Sequence, residues 1–239
     1  MTSVEAIITI DEQPVPFKPG ETVLEAALAA GVYIPHLCHH PEFAPHGSCK
    51  LCSVVVNGRS VSACAMKAAP GQEIEVDTPE LHAYRRTLVQ MLFVEGNHFC
   101  PGCEKSGNCQ LQATAYDMKM RTPHYPQFFP NRPVDASHSD FLLDANRCIL
   151  CSLCVRASRD IDGKNVFGLS GRGIHTHIIV NAASGKLGDT DFSADDKAAH
   201  VCPVGAILPK RQGFAVPIGQ RIYDDKPISQ FTALERKGK

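Results

Sequence analysis

The spacing of apolar residues divides the chain into three blocks with different periods. The first mixes strands with one helix. Ala6–Ile10 is an apolar strand candidate, and turn formers occupy residues 11–16 and Pro19-Gly20. Thr22 with Glu25 three positions on is a capping box for a helix bearing Leu24, Ala27 and Leu28, and Gly31 suits a left-handed C-terminal cap. Ser53–Val56 and Arg59–Ser62 flank Asn57-Gly58, a strong hairpin signal, and residues 73–76 offer another strand. The second block is helical. Thr78 caps it, Pro79 fits its first position, and Leu81, Tyr84, Leu88, Met91 and Leu92 recur at steps of three and four, predicting a core stripe that Gly96 ends. Residues 110–118 read as a second helix, and the proline-rich run 123–133 as an extended linker.

The third block begins near His138. Residues 148–154 start a short helix, 174–180 form a β-rich run, and Ser193 caps a helix leading to Cys202. Residues 209–239 have too few apolar positions for a core of their own, which predicts that they lie over the third block or over another subunit. No period of 20–50 residues repeats. The expected domains are therefore 1–78, 79–137 and 138–239, the last with its tail.

Composition narrows the class. At 239 residues, 44% hydrophobic and 21% charged, the chain has the make-up of an ordered globular protein. A net charge of −1 gives no electrostatic case for nucleic acid or an anionic membrane. There is no apolar run of 18 residues and no basic segment followed by an apolar one at the start, so neither a membrane span nor a secretory signal is expected. The eleven cysteines show C-x2-C spacing in three separate places, and their odd total fits reduced, metal-bound thiols better than disulfides. A cytoplasmic location follows as an expectation.

Those cysteines form three sets. The first, Cys38, Cys49, Cys52 and Cys64, has the pattern C-x10-C-x2-C-x11-C. It keeps the central C-x2-C of plant-type 2Fe–2S sites but widens the first gap, so a loop turning at Pro45 and Gly47 must bring Cys38 back beside Cys49. Cys38-His39-His40 offers half of a Rieske pattern, but Cys52 stands where the second histidine belongs. The second set, Cys100, Cys103 and Cys109, leaves a four-iron cluster one ligand short. His98 is the nearest imidazole, and neutral imidazole binds iron. The alternative there is a loop histidine beside a zinc or three-iron site. The third set, Cys148, Cys151 and Cys154 with Cys202-Pro203, is the C-x2-C-x2-C…C-P pattern of bacterial 4Fe–4S ferredoxins. Its second cluster is missing, since Ser158, Phe192, Asp195 and Ala198 occupy the places of the other ligands. Zinc is the alternative for all three sets, because C-x2-C pairs also build zinc sites, and it would make this a zinc-stapled structural protein.

Other chemistry is excluded. Gly171-Arg172-Gly173 lacks the glycine a dinucleotide fingerprint needs at Thr176, and Gly185-Lys186 lacks the earlier P-loop glycine, where Val180 stands. No nucleophile remains once the cysteines are assigned. Arg85-Arg86 and Lys210-Arg211 read as solvated faces or subunit contacts. A nicotinamide, flavin or substrate site is expected on a partner chain.

The order of the sites, with Glu95-Gly-Asn-His-Phe-Cys-Pro-Gly-Cys-Glu-Lys-Ser-Gly-Asn-Cys-Gln-Leu-Gln112, resembles the N-terminal region of the large iron–sulfur subunit of respiratory complex I. The length, Cys202-Pro-Val-Gly-Ala-Ile-Leu-Pro-Lys-Arg211 and Pro217-Ile-Gly-Gln-Arg221 look more like the small diaphorase subunit of soluble, bidirectional NAD-reducing nickel–iron hydrogenases. The resemblance covers essentially the whole chain. It implies an α+β protein: a β-grasp 2Fe–2S ferredoxin domain, a small helical His/Cys3 cluster domain and a bacterial-ferredoxin-like 4Fe–4S domain. Cys38, Cys49, Cys52 and Cys64 would hold a 2Fe–2S cluster. His98, Cys100, Cys103 and Cys109 would hold one 4Fe–4S cluster, and Cys148, Cys151, Cys154 and Cys202 another. Electrons would run between nickel–iron hydrogenase subunits and a flavin/NAD-binding diaphorase subunit carrying FMN and NAD. Complex I proteins place their ligand histidine four residues before the first cysteine, at Gly96 here, whereas the hydrogenase and some formate dehydrogenase relatives share Asn-His two residues before it. The equivalent subunit of an NAD-dependent formate dehydrogenase or of complex I is the alternative. Those relatives carry this region within longer chains, and the present sequence ends at Lys239, which favours the hydrogenase.

Overall fold

The computed structural model describes residues 6–231. Strand β1 (Ala6–Ile10) turns back tightly into β2 (Gln13–Phe17), where the sequence suggests only turn. Asp11 and Glu12 both take positive φ, 44° and 67°, the geometry of a two-residue hairpin whose twist matches its strands. Pro14 and Pro16 are tolerated because β2 is an edge strand, with only one neighbour to serve. Helix α1 (Val23–Ala29) carries the expected capping box: Thr22 Oγ1 accepts from the Glu25 N–H and the Glu25 carboxylate accepts from the Thr22 N–H. Gly31 follows it with φ 82°.

Strands β3 (Ser53–Val56) and β4 (Arg59–Ser62) form the Asn57-Gly58 hairpin, and β5 (Glu73–Glu75) completes a five-stranded sheet ordered β2-β1-β5-β3-β4. β1 and β5 run parallel, the other pairs antiparallel, and α1 packs on the sheet through Val23, Leu24, Ala26 and Ala27. This is the β-grasp arrangement.

Helix α2 (Pro79–Glu95) starts at Thr78, whose hydroxyl accepts from the Leu81 N–H. Its buried face corrects the predicted stripe. Leu81, Arg85, Val89 and Phe93 face inward at steps of four, while Tyr84 and Met91 are exposed. Arg85 is the reason. Its guanidinium is buried and donates to the carbonyls of Val76 (2.9 Å) and Ser53 (2.8 Å), locking the helix onto the first sheet. The pair Arg85-Arg86 is therefore not a solvated face: Arg86, though exposed, also donates to the Met118 carbonyl. Helix α3 (Gln110–Asp117) follows the second cysteine set as expected. The run 123–133 is extended and strapped across α2, with Phe128 N donating to Val94 O and Asn97 Nδ2 to Pro130 O.

The third region contains β6 (Val134–Asp135), β7 (Phe141–Asp144), α4 (Leu153–Asp160), β8 (Phe167–Ser170), β9 (His177–Val180), α5 (Lys197–His200) and β10 (Ile207–Pro209). They make a three-stranded sheet, β10-β7-β6, and a β8-β9 hairpin. The sheet thus takes in residues just ahead of His138. Helix α4 begins only at Leu153, because Leu150 and Ser152 adopt positive φ within the cysteine loop. Residues 173–175 form a single 3-10 turn before β9, and α5 starts one turn beyond Ser193, whose N–H instead donates to the Asp196 carboxylate. Lys210 donates to the Ala136 and His138 carbonyls, so it too is tied inward, and Arg211 is exposed.

The tail departs most from expectation. It crosses the second region, not the third: Arg221 Nη1 donates to Ser106 O, Ile222 N to Asn108 Oδ1 and Tyr223 N to Gly107 O, while Ile228 and Phe231 are buried and the turn at Ile228–Gln230 packs on α3. Residues 232–239 lie outside the described residues.

Replacing Arg85 by methionine removes the donors of two carbonyls. Each unsatisfied acceptor costs ~1–3 kcal/mol, so Arg85→Met is expected to lower stability by roughly 3 kcal/mol, read as a lower denaturant midpoint by circular dichroism. Arg86→Met, at the exposed neighbour, is expected to shift it far less.

Candidate metal centres

Each set of donors predicted from spacing is brought together, and the local backbone explains how. In the first set, Cys38, Cys52 and Cys64 are buried and Cys49 is half-buried. Gly47 turns the loop with φ 68°, and the Cys49 N–H approaches Cys38 Sγ at 3.5 Å. Lys50 holds φ 56° between the two central cysteines. The thiols pair as Cys38 with Cys49 and Cys52 with Cys64. The hydrogen bond from Cys49 lowers Cys38 to about 4 against its burial, and the same bond, with burial, raises Cys49. Cys64 is likewise lowered by the bond from Cys52 and Cys52 raised. Two thiols facing two others is the donor arrangement of a two-iron cluster.

The second set lines one pocket with about 340 Å³ of open space, together with Phe93, Gln112, Arg147 and Gly205. Cys100 and Cys103 flank a 3-10 turn at Cys100–Gly102, and Cys109 sits at the start of α3. Burial pushes the Cys109 thiol up to about 12, and burial with the neighbouring Cys103 raises Cys100. His98 opens into the same pocket. Burial, then Arg147, lowers its imidazole to about 4, so it is neutral at pH 7. Its Nε2 is buried with no hydrogen-bond partner among the described residues, while the ring is bonded to the Leu92 backbone. A neutral ring anchored through one nitrogen presents a bare lone pair at the other, the state in which histidine binds metal.

Gly96 adds a steric observation. A Cβ at this position would stand 2.6 Å from His98 Nε2 and 2.9 Å from the Asn146 carbonyl. The imidazole of His98 therefore occupies the space into which a side chain at 96 would project.

The third set lines an apolar pocket with about 380 Å³ of open space, walled by Ile149, Val155, Ile178, Val204 and Ile207. Leu150 (φ 55°) and Ser152 (φ 59°) coil the loop so that the Leu150 N–H reaches Cys148 Sγ at 3.4 Å. Burial pushes Cys148 up to about 11, and Cys151 and Cys154 are raised by burial and by the other thiolates of the set. Thiols that burial holds back from ionising, as at Cys148, Cys151 and Cys154, would be relieved by cationic iron, which binds the thiolate form. The four donors of each set fit a cluster. Among the described residues, no three His, Cys, Asp or Glu side chains close on a single ion position.

The sites share walls. Cys38 and Phe43 belong to the same buried cluster as Cys151 and Cys154, and Cys49, Cys148 and Cys202 border both that cluster and the one containing Cys109. Arg156, one turn after the third set's loop, is buried and donates to Cys38 O (2.5 Å) and Ala44 O (2.9 Å), clamping the first loop onto α4. A Cβ on Gly205 would lie 2.9 Å from Cys103 Sγ, so the loop after Cys202 abuts the second set. Sequence spacing does not reveal Arg156, Arg147 or Gly205, since each acts on a partner far along the chain.

Where a second bacterial-type cluster would sit, the interior is filled. Ser158 is buried and its hydroxyl accepts from the Val166 N–H (2.7 Å). Phe192 packs edge-on against Phe141 (5.2 Å between centroids) and Phe167 (5.4 Å), and Ala198 is buried beside them.

Gly96→Ala is expected to displace the His98 ring and change the paramagnetic resonance of one four-iron cluster while leaving the two-iron signal intact. Unaltered four-iron spectra would separate position 96 from the site.

Comparison with known proteins was consistent along the chain. The 2Fe-2S iron-sulfur cluster binding domain family matches residues 4–79, the NADH-ubiquinone oxidoreductase-G iron-sulfur binding region residues 85–124, and the 4Fe-4S single cluster domain residues 141–208. The chain is 40% identical to the gamma subunit of the NAD-reducing hydrogenase HoxS of Cupriavidus necator, over 97% of this chain and 98% of that protein. It is 30% identical to the mitochondrial 78 kDa subunit of NADH-ubiquinone oxidoreductase of Candida albicans over 88% of its own length, but spans 29% of that relative. A chain in the crystal structure of an NAD+-reducing [NiFe]-hydrogenase in the H2-reduced state superposes with a TM-score of 0.93 at 54% identity, covering 97% of this chain and 98% of that one.

Proposed function

This chain belongs to the family of the NAD-reducing hydrogenase gamma subunit, and from that membership we propose that it relays electrons, one at a time, between a nickel–iron hydrogenase module and a flavin- and NAD-binding diaphorase subunit. It is an iron–sulfur electron-transfer subunit of an oxidoreductase complex. The reaction it would serve is H2 + NAD+ to NADH + H+, in either direction. FMN and NAD would sit on the partner, since the sequence completes neither a dinucleotide fingerprint nor a P-loop. A cytoplasmic place for the complex is part of this reading, and among the described residues no helix is long and apolar enough to cross a membrane.

The carrying observation is the gathering of twelve donors into three adjoining sites. We assign a 2Fe–2S cluster to Cys38, Cys49, Cys52 and Cys64, a 4Fe–4S cluster to His98, Cys100, Cys103 and Cys109, and a 4Fe–4S cluster to Cys148, Cys151, Cys154 and Cys202. Such clusters, when bound, take up and release single electrons at potentials set by charge, hydrogen bonding and exposure. The protein's own part is placement and tuning. The His98 imidazole contributes no charge, so the second site holds one negative charge fewer than an all-cysteine site. Arg156 and Gly205 hold the first and second sites against the third, which would make the third site the shared neighbour of both. Its lost companion means that the third region carries one cluster, where a two-cluster ferredoxin carries a pair.

The match to the 78 kDa NADH-ubiquinone oxidoreductase protein favours the same electron chemistry in another assembly, over 29% of that longer chain. The purified complex is expected to reduce NAD with hydrogen and not with formate. Hydrogen-linked activity absent from an otherwise intact complex would remove the hydrogenase assignment.

The subunit should be brown and carry about ten irons, two plus four plus four, with matching acid-labile sulfide. A colourless chain holding zinc would instead support the structural alternative. His98→Ala is expected to perturb the spectrum of one four-iron cluster only, and unchanged redox spectra would take His98 off the ligand set.

A further inference from the structure

Arg147 has no ligand role, yet it is placed against a ligand. Its Nη1 donates to Cys103 Sγ at 3.6 Å and to Glu104 Oε2 at 2.8 Å, and its Nε lies 2.9 Å from Asp144 Oδ2. The guanidinium lines the pocket shared by His98, Cys100, Cys103 and Cys109. It is well shielded, with the side chain 19% exposed and that of Asp144 11%. From the other side, the Cβ position of Gly205 lies 2.9 Å from Cys103 Sγ and 3.4 Å from Arg147 Nη1, which leaves little room for either to move. The carboxylates of Asp144 and Glu104 fix the fork, and the planar group directs one of its remaining N–H bonds to sulfur.

We propose that Arg147 is a positioning residue that raises the reduction potential of the cluster held by His98, Cys100, Cys103 and Cys109. The proposal rests on the four-donor assignment made above. Reduction adds one negative charge to a cluster. A fixed cation and an N–H···S bond at a ligating sulfur both favour that added charge, and potentials in such sites follow net charge and hydrogen bonds to sulfur. Replacing cysteine by histidine already reduces the negative charge at this site, and Arg147 acts in the same direction. Because a guanidinium stays protonated, the effect is independent of pH through the neutral range. Glu104 and Asp144 temper it, since the three side chains together carry one net negative charge. Removing the arginine exposes the sulfur to both carboxylates.

The test is a redox titration of the intact complex followed by paramagnetic resonance, comparing wild type with R147Q, R147K and E104Q. At a fixed potential near the midpoint, R147Q is expected to lower the reduced-to-oxidised ratio of this cluster about tenfold, a fall of about 59 mV for a one-electron couple. The two-iron cluster and the other four-iron cluster should hold their midpoints. R147K, which keeps the charge but loses the fork, should fall between wild type and R147Q. E104Q should move the midpoint upward. Equal downward shifts in R147K and R147Q would show that geometry alone matters and overturn the charge-based role, as would an unmoved midpoint in R147Q. If R147Q fails to load the cluster, E104Q decides: an upward shift supports the proposal, and an unmoved midpoint overturns it. A wild-type complex showing only one four-iron signal would overturn the site assignment itself, a result distinct from any of these.

Discussion

Eleven thiols, six of them buried and five half-buried, impose the constraint on which the rest of this structure turns. Burial drives a thiol away from its charged form, and a weak donor such as S–H does little for its neighbours in return. The chain meets this by turning its backbone toward the sulfurs. Lys50, Leu150 and Ser152 all take left-handed conformations inside cysteine loops, although none is a residue that prefers them. Local strain of ~1 kcal/mol or more at each such residue persists only where surroundings enforce it, and metal–thiolate bonds are strong enough to do so. The hydrophobic interior follows the same demand. Cysteines from more than one set border the same apolar clusters, so the three regions are joined through their sites and not merely strung beside one another.

What was legible in the sequence was chemistry confined to a few consecutive residues. Thr22 with Glu25, Asn57 with Gly58, and Thr78 with Pro79 each specify a local backbone shape, and each appears where it was expected. The twelve donors were legible for a related reason: a cluster fixes how many ligands it needs and how closely some of them must follow one another. Their gathering around three sites agrees with that reading, while their identity as ligands rests on the proposal. The misreadings concern distant partners. Arg85 looked like half of a charged pair until two carbonyls, from β3 and from just beyond β5, claimed it. Gln13–Phe17 looked like a turn because its prolines are harmless only at a sheet edge, and edges are a property of topology. No composition rule could have aimed the tail at residues 106–108, since hydrogen bonds to a loop leave no periodic trace.

The third region pairs its cysteine set with a tightly packed aromatic core. It matches the 4Fe-4S single cluster domain family over residues 141–208. The positions at which a two-cluster ferredoxin would need further cysteines include Phe192, Ala198 and Ser158, which pack in the interior. Edge-to-face aromatic pairs supply dispersion and quadrupole attraction to a core that would otherwise hold a cavity. His138 joins them by accepting from the backbone at Phe141 and bonding the Phe192 carbonyl. These contacts pack the third region firmly beside its one set of four cysteines.

The strap formed by the tail has a consequence for biosynthesis. Arg221 secures the loop between Cys103 and Cys109 from a point 115 residues beyond Ser106. At usual rates of translation, on the order of ten seconds separate the emergence of the two segments. Through that interval the loop carrying the second set waits without its cover, whereas the first set is complete as soon as Cys64 has been made. A nascent chain of this kind offers the iron–sulfur assembly machinery its sites at different times, with the second the last to be sealed.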